Sequence, residues 1–199
     1  MEQVILARHG ESEFSLAGNV NGDPATACAL TARGREQAQR LRDEISKDDI
    51  DLCVTSEFER VRQTAEIALE GRDVPRLVLP ELNDVRFGSF EGGTLDAYRE
   101  WASTNEPTAE APGGGESRSA TVARYVRAYR TVLARPEPTI LVVAHGLPIR
   151  YVLNALDEVD PAPLVDQVAY AQPWRFDRAT LERAVERLDR WARAPAWAA

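Results

Sequence analysis

The chain carries three short, mostly apolar runs, Gln3 to Ala7, Asp51 to Thr55 and Thr139 to Ala144, and each stops abruptly at polar or charged residues. A run of that length ending on a charge reads as a buried strand that delivers residues to its C-terminal end. Thr139 to Ala144 is the most β-branched of the three, with Ile140, Val142 and Val143, side chains that pack well on a pleated surface. Helical patterns separate the runs. Thr31 to Ile45 opens on a capping residue, Arg60 to Leu69 places Val61, Ala65, Ala68 and Leu69 on one face, and Thr121 to Leu133 does the same with Val122, Tyr125, Val126, Tyr129 and Val132. Strands alternating with helices imply right-handed crossovers. The expected fold class is α/β, a three-layer α/β/α sandwich around a mostly parallel central sheet.

At 199 residues the chain is long enough to bury a sizeable core, and residues 1–199 are expected to form one domain. Pro107 to Gly115, with three consecutive glycines, reads as a loop before a helix and not as a linker, because Leu95 to Ser103 before it is too short to complete a second core. The tail Thr180 to Trp197 reads as a charged surface helix with Leu181, Val185, Leu188 and Trp191 along one face.

A formal charge of -8 argues against nucleic acid as a partner, since that affinity rests on many basic residues neutralising phosphates. No membrane partner is expected either, because no apolar run approaches eighteen residues and the chain opens directly on a strand; a cytoplasmic location is expected. Cys28 and Cys53 fall in no ligand or disulfide spacing, and Cys53 lies inside a core-like run. With no HExxH and no clustered Asp/Glu set, no metal and no other cofactor is expected.

Ligands of open α/β sheets bind beyond the carboxyl ends of the strands. The first strand is followed by Arg8-His9-Gly10-Glu11-Ser12, the second by Ser56 and Arg60, and the third by His145-Gly146. An isolated buried histidine is more often a hydrogen-bonded core residue than a catalyst. Here the only two histidines leave central strands on the same edge, each followed by a glycine that permits close backbone approach. Amides at a following helix start would attract an anion there.

These residues carry a resemblance. Leu6-Ala7-Arg8-His9-Gly10-Glu11-Ser12 resembles the nucleophile signature of the histidine phosphatase superfamily, the phosphoglycerate-mutase-like fold of branch one. Leu30-Thr31 through Gly34 to Gln37-Ala38 resembles that family's next helix, and Ser56, Arg60, Gln63, Thr64 and Ala65 fit its SxxxRxxQTA pattern. Phe87-Gly88 to Phe90-Glu91-Gly92, Gly115-Glu116-Ser117 and Ala144-His145-Gly146 complete the order. The resemblance spans about Val4 to Leu156, and little is recognised beyond.

The resemblance implies a histidine acid phosphatase-type phosphoric monoester hydrolase, metal-independent, acting through a phosphohistidine on a small phosphorylated metabolite. His9 is implied as nucleophile, with its other ring nitrogen expected on a backbone carbonyl. Arg8, Arg60 and His145 would hold the phosphoryl oxygens, His145 protonated or at least donating a hydrogen bond. An acid of raised pKa is needed for the leaving oxygen. Counting back from Gly88 selects Asp84, where relatives carry glutamate, with Glu81 as second choice. Gly146, Asn21 and Ser15 are further candidates for phosphate contact, and Arg62, Arg86, Arg150 and Tyr98 for the cavity entrance. Glu11 and Glu91 are expected to organise arginines.

Two alternatives stay open: a phosphoglycerate mutase, which returns the phosphoryl group to a second hydroxyl instead of to water, and a catalytically silent module that holds a phosphorylated ligand. A homodimer also stays open, since no apolar stripe identifies an interface.

Overall fold

The computed structural model describes residues 1–197. Ala198 and Ala199, the end of the span expected to form one domain, lie outside the described residues. In chain order the elements are β1 (Gln3–Arg8), α1 (Glu13–Leu16), α2 (Ala32–Glu44), β2 (Leu52–Thr55), α3 (Glu59–Ala68), β3 (Arg76–Val78), α4 (Leu95–Ser103), α5 (Arg118–Leu133), β4 (Thr139–Ala144), α6 (Gly146–Leu156), β5 (Pro173–Asp177) and α7 (Arg178–Arg193). The sheet order is β3-β2-β4-β1-β5. β2, β4 and β1 are its parallel centre, β3 extends it in parallel, and β5 pairs antiparallel with β1.

Alternation along the central strands sorts their side chains onto two faces. Val4, Leu6, Leu52, Val54, Ile140 and Val142 pack with α5, α6 and α7. Ile5, Ala7, Cys53, Leu141 and Val143 face Leu41 and Ile45 of the α2 segment and Val61, Ala65 and Ala68 of α3. The result is the α/β/α sandwich, with both sheet faces covered, as unbroken apolar strands require. Both cysteines are buried free thiols.

Thr31 caps α2 through Gly34, as its position suggests, and Ser117 caps α5 through Ala120, so α5 starts three residues before the sequence pattern does. The C-terminal helix buries Leu181, Val185, Leu188 and Trp191 but ends at Arg193, short of Trp197. Beyond it, the Trp197 indole donates to the Asn105 carbonyl (2.8 Å). No helix among the described residues is long and apolar enough to cross a membrane. A third apolar cluster, Val20, Val85, Phe87, Tyr98, Ala102 and Ala111, lies off the sheet around α4 and supports one wall of the cavity described next.

Candidate active site

The two central strands β1 and β4 end side by side, and the ladder runs one residue further, the His9 amide donating to the Ala144 carbonyl (2.9 Å). The turn that follows, before α1, packs against the first turn of α2. A Cβ on Gly10 would lie 2.4 Å from the Gly34 carbonyl oxygen, and one on Gly34 would lie 2.0 Å from that of Glu11. Only glycine at both positions lets the two backbones meet. The Gly10 amide donates to Thr64 Oγ1 (3.0 Å) and that of Glu11 to Gln37 Oε1 (2.7 Å). Motif residues far from any chemistry therefore build the turn that holds His9.

His9 Nδ1 is 2.6 Å from the Gly10 carbonyl oxygen. A carbonyl only accepts, so Nδ1 carries the proton and Nε2 presents a lone pair. Burial, followed by the charges of Arg60 and Arg8, holds the imidazole pKa well below its ordinary value, so the ring is neutral at neutral pH. Arg60, in the first turn of α3, donates through Nε to His9 Nε2 (3.3 Å). Its Nη1 donates to Asn21 Oδ1 (2.5 Å), and its Nη2 to the Asn21 carbonyl (3.1 Å) and Asp84 Oδ2 (3.4 Å). Every nitrogen of this buried guanidinium is directed.

His145 is fully buried at the start of α6. Its Nε2 meets Ser56 Oγ at 2.9 Å, and its Nδ1 is 3.4 Å from Asp84 Oδ2 and 3.3 Å from Arg60 Nη2. The Phe58 amide donates to Ser56 Oγ (3.5 Å), which leaves the hydroxyl proton available to Nε2 and the imidazole proton on Nδ1, facing Asp84. Of the two expected states, protonated or simply donating, the surroundings favour the second. Burial first, then Arg60 and the other nearby cations, push the His145 pKa well below its ordinary value, so the ring serves as a neutral donor. The cause is tertiary: no solvent reaches the ring, and the cations around it, Arg60 foremost, oppose a further positive charge.

Asp84 lies on the cavity wall, with Oδ1 accepting from the Val85 amide (3.0 Å). Glu81, the second choice for the acid, instead faces a separate depression with Pro80, Arg86 and Arg127 and is absent from the wall around His9. Arg124 fixes the turn that separates them, donating to the carbonyls of Glu81 (2.9 Å), Asn83 (2.7 Å) and Asp84 (3.0 Å) while paired with Glu116 (2.7 Å).

Arg8 Nη1 donates to the Val168 carbonyl (2.7 Å) and Gln167 Oε1 (3.1 Å), and its guanidinium stacks 3.9 Å from the centre of the Tyr170 ring. A Cβ on Gly146 would sit 3.4 Å from Arg8 Nε, so the glycine keeps the first turn of α6 close to the cation. Ser15 reaches the cavity wall, but its hydroxyl is engaged in a capping box with Ser12, accepting from the Ser12 amide (2.8 Å) and donating to the Ser12 carbonyl (2.9 Å). Asn21 is also on the wall, yet its amide nitrogen donates to the Asp23 carbonyl (3.1 Å) and its oxygen orients Arg60.

Of the candidates for the entrance, Arg150 and Tyr98 line the cavity, whereas Arg62 and Arg86 are exposed and lie outside it. Neither expected organiser touches an arginine. Glu91 accepts from the Gly22 and Phe87 amides and Glu11 from the Thr31 hydroxyl. Both carboxylates shape loops.

The cavity holds about 180 Å³. Phe14, Val20, Val85, Phe87, Leu95 and Leu147 make its apolar side, and the guanidinium groups of Arg8, Arg60, Arg99, Arg118 and Arg150 face only two carboxylates, Asp84 and Asp166. Such a concentration of positive charge between low-dielectric walls focuses the field on an entering anion, within a chain of net charge -8. Among the described residues no group of three or more His, Cys, Asp and Glu is placed to hold a metal ion. Sequence reading missed Tyr170 and Gln167, which sit in a segment without periodicity. It also missed Arg118, which directly follows the Gly115-Glu116-Ser117 motif.

The profile of the histidine phosphatase superfamily (branch 1) matches residues 4–192, well past the Leu156 limit of the sequence resemblance. The chain is 44% identical over 89 residues to an adenosylcobalamin/α-ribazole phosphatase of Salmonella typhimurium, a match covering 45% of this chain and 43% of that protein. It is 29% identical over 193 residues to a 2,3-bisphosphoglycerate-dependent phosphoglycerate mutase of Gloeobacter violaceus, covering 89% and 86% of the two chains. The crystal structure of the α-ribazole phosphatase from Shigella flexneri superposes with a TM-score of 0.73 at 29% identity, covering 87% of this chain and 89% of that one.

Proposed function

The chain belongs to branch 1 of the histidine phosphatase superfamily, and from that premise we propose that it hydrolyses small phosphate monoesters through a phosphohistidine on His9, without a metal. The observation that carries this reading is the 2.6 Å contact of His9 Nδ1 with the Gly10 carbonyl. It fixes the tautomer in which Nε2 is nucleophilic, while burial and two cations keep the ring unprotonated.

In the proposed sequence, a phosphoryl dianion enters between Arg8, Arg60 and the first amides of α6, and competes with the Asp84 carboxyl for the protons of Arg60 and His145. His9 Nε2 forms a bond to phosphorus, the bond from phosphorus to the ester oxygen breaks, and that oxygen takes a proton from Asp84. Water then attacks the phosphohistidine and gives a proton to Asp84, the P–N bond breaks, and inorganic phosphate leaves. Arg8, Arg60 and His145 offset charge on the equatorial oxygens throughout, the electrostatic term that dominates phosphoryl transfer.

The relatives' names supply two substrate classes, α-ribazole phosphates and phosphoglycerates. The test is phosphate release from a panel that includes both, by wild type and His9→Ala, with excess EDTA present. Release that resists EDTA and vanishes in the variant supports the hydrolase. Interconversion of phosphoglycerates without phosphate release would replace it with the mutase, and binding without either reaction would replace it with the silent module.

A further inference from the structure

Arg118, like Arg8 at the phosphoryl end, lines the cavity without a carboxylate partner among the described residues, and its own hydrogen-bond partners are neutral side chains. It is 7% exposed, its Nη1 donates to the Tyr151 hydroxyl (2.7 Å) and its Nη2 to that of Tyr98 (3.4 Å). Among the described residues its buried Nε has no hydrogen-bond partner and no carboxylate forms a salt bridge with the group. The other four arginines have duties. Arg8 and Arg60 belong to the phosphoryl end, and Arg99 and Arg150 donate to the backbone carbonyls of Val165, Asp166 and Gln167.

A buried charge is normally paired, and one left with dipoles alone destabilises the fold. Phenol oxygens accept hydrogen bonds but do not neutralise a guanidinium. A buried donor without a partner is tolerated where a ligand completes it. The position is also informative. Tyr151 is five residues beyond Gly146 on α6, about 7.5 Å along the helix axis between their backbones, so Arg118 is held by a residue outside the first turn that faces the phosphoryl group.

We propose that Arg118 binds a second anionic group, carried on the alcohol portion of the substrate, and so selects phosphate monoesters that bear a carboxylate or a second phosphate. This rests on the phosphomonoesterase reading above. Tyr98 and Tyr151 hold the guanidinium in register, and the planar fork of arginine suits a two-point contact with either anion.

The test compares matched esters. Wild type and Arg118→Met are assayed on 3-phosphoglycerate against glycerol 3-phosphate, which replaces the carboxylate by a hydroxymethyl group, and on fructose 1,6-bisphosphate against fructose 6-phosphate. The first pair reads a carboxylate and the second a phosphate. Wild type should favour the doubly anionic ester of at least one pair by about tenfold or more in kcat/KM. Arg118→Met should erase that preference, chiefly through KM, as expected when a buried charge contact is truncated.

Thermal melting guards against a folding artefact. Removing an unpaired buried charge should leave Tm unchanged or raised. A lowered Tm with parallel losses on every ester would make Arg118 a structural strut and overturn the inference. Equal wild-type rates within both pairs would overturn it too, while leaving the hydrolase reading intact. No turnover of any ester would instead count against the hydrolase itself.

Discussion

Arg60 Nε lies 3.3 Å from His9 Nε2, so the nitrogen proposed to attack phosphorus already accepts a hydrogen bond from a cation. The guanidinium thus keeps the imidazole unprotonated and occupies its lone pair until phosphoryl oxygens draw the cation away. Arg60→Gln should therefore do two things. It should lower kcat/KM by about a hundredfold or more, as loss of an oxyanion donor does. It should also move the acidic limb of the pH profile upward, because Arg60 is one of the groups that lowers the His9 pKa. Ionisation of the ester is common to both profiles and cancels in the difference. A limb that stays in place contradicts the coupling.

Asp84→Asn separates an acid from a bystander. Its Oδ2 lies within 3.4 Å of both Arg60 Nη2 and His145 Nδ1, at the junction of the phosphoryl donors. Loss of the acid should cost alkyl phosphates far more than p-nitrophenyl phosphate, whose phenolate departs without a proton. The check is the ratio of the two kcat/KM losses. Equal losses would assign Asp84 to positioning Arg60 and leave the proton donor elsewhere.

Much of this arrangement was legible in the sequence, for physical reasons. β1, β2 and β4 are buried on both faces, so their runs are continuously apolar, and the residues leaving them meet on one sheet edge. β3 spans three residues, Arg76–Val78, with both ends exposed, too short to show a pattern, and β5 is an antiparallel edge strand that starts at a proline and has no buried residue to make an apolar run. α6 was hidden by Pro148, which reads as a breaker although the first turn tolerates it. Tyr170 and Gln167 reach Arg8 from an irregular segment, so only tertiary structure reveals them. Arg118 in a helix reads as a solvated charge, and the two tyrosines that bury it come from α4 and α6. The choice between a protonated and a neutral donating His145 was open in the sequence for a similar reason, because its burial and its cationic neighbours are set by packing.

Stability should carry a histidine signature. The folded pKa of both His9 and His145 is lowered from the ordinary 6.5, so below that pH the unfolded chain binds protons that the folded chain does not. Stability is then full above pH 6.5 and falls as the pH drops, by up to about 1.4 kcal/mol per pH unit for each histidine. Urea unfolding between pH 7.5 and 5.5 should show a shallower decline for His145→Gln than for wild type. Identical slopes would mean that His145 takes up its proton without unfolding.

Gly34→Ala tests the backbone contact that supports His9. The added Cβ would lie 2.0 Å from the Glu11 carbonyl oxygen, and overpacking of this kind costs about 1–3 kcal/mol. A lower Tm together with reduced kcat is expected, since Glu11 is two residues from the nucleophile. An unchanged Tm would show that the turn can shift freely.

The central claim is that phosphorus becomes bonded to Nε2 of His9. A phosphohistidine is stable to alkali, so rapid mixing with a good ester, alkaline quench within milliseconds and peptide mass spectrometry reads it directly. The account predicts a phosphorylated peptide containing His9, formed in Asp84→Asn as well as in wild type when p-nitrophenyl phosphate is used. Steady phosphate release with no phosphohistidine at any time, or a phosphoryl group found on another residue, would contradict it.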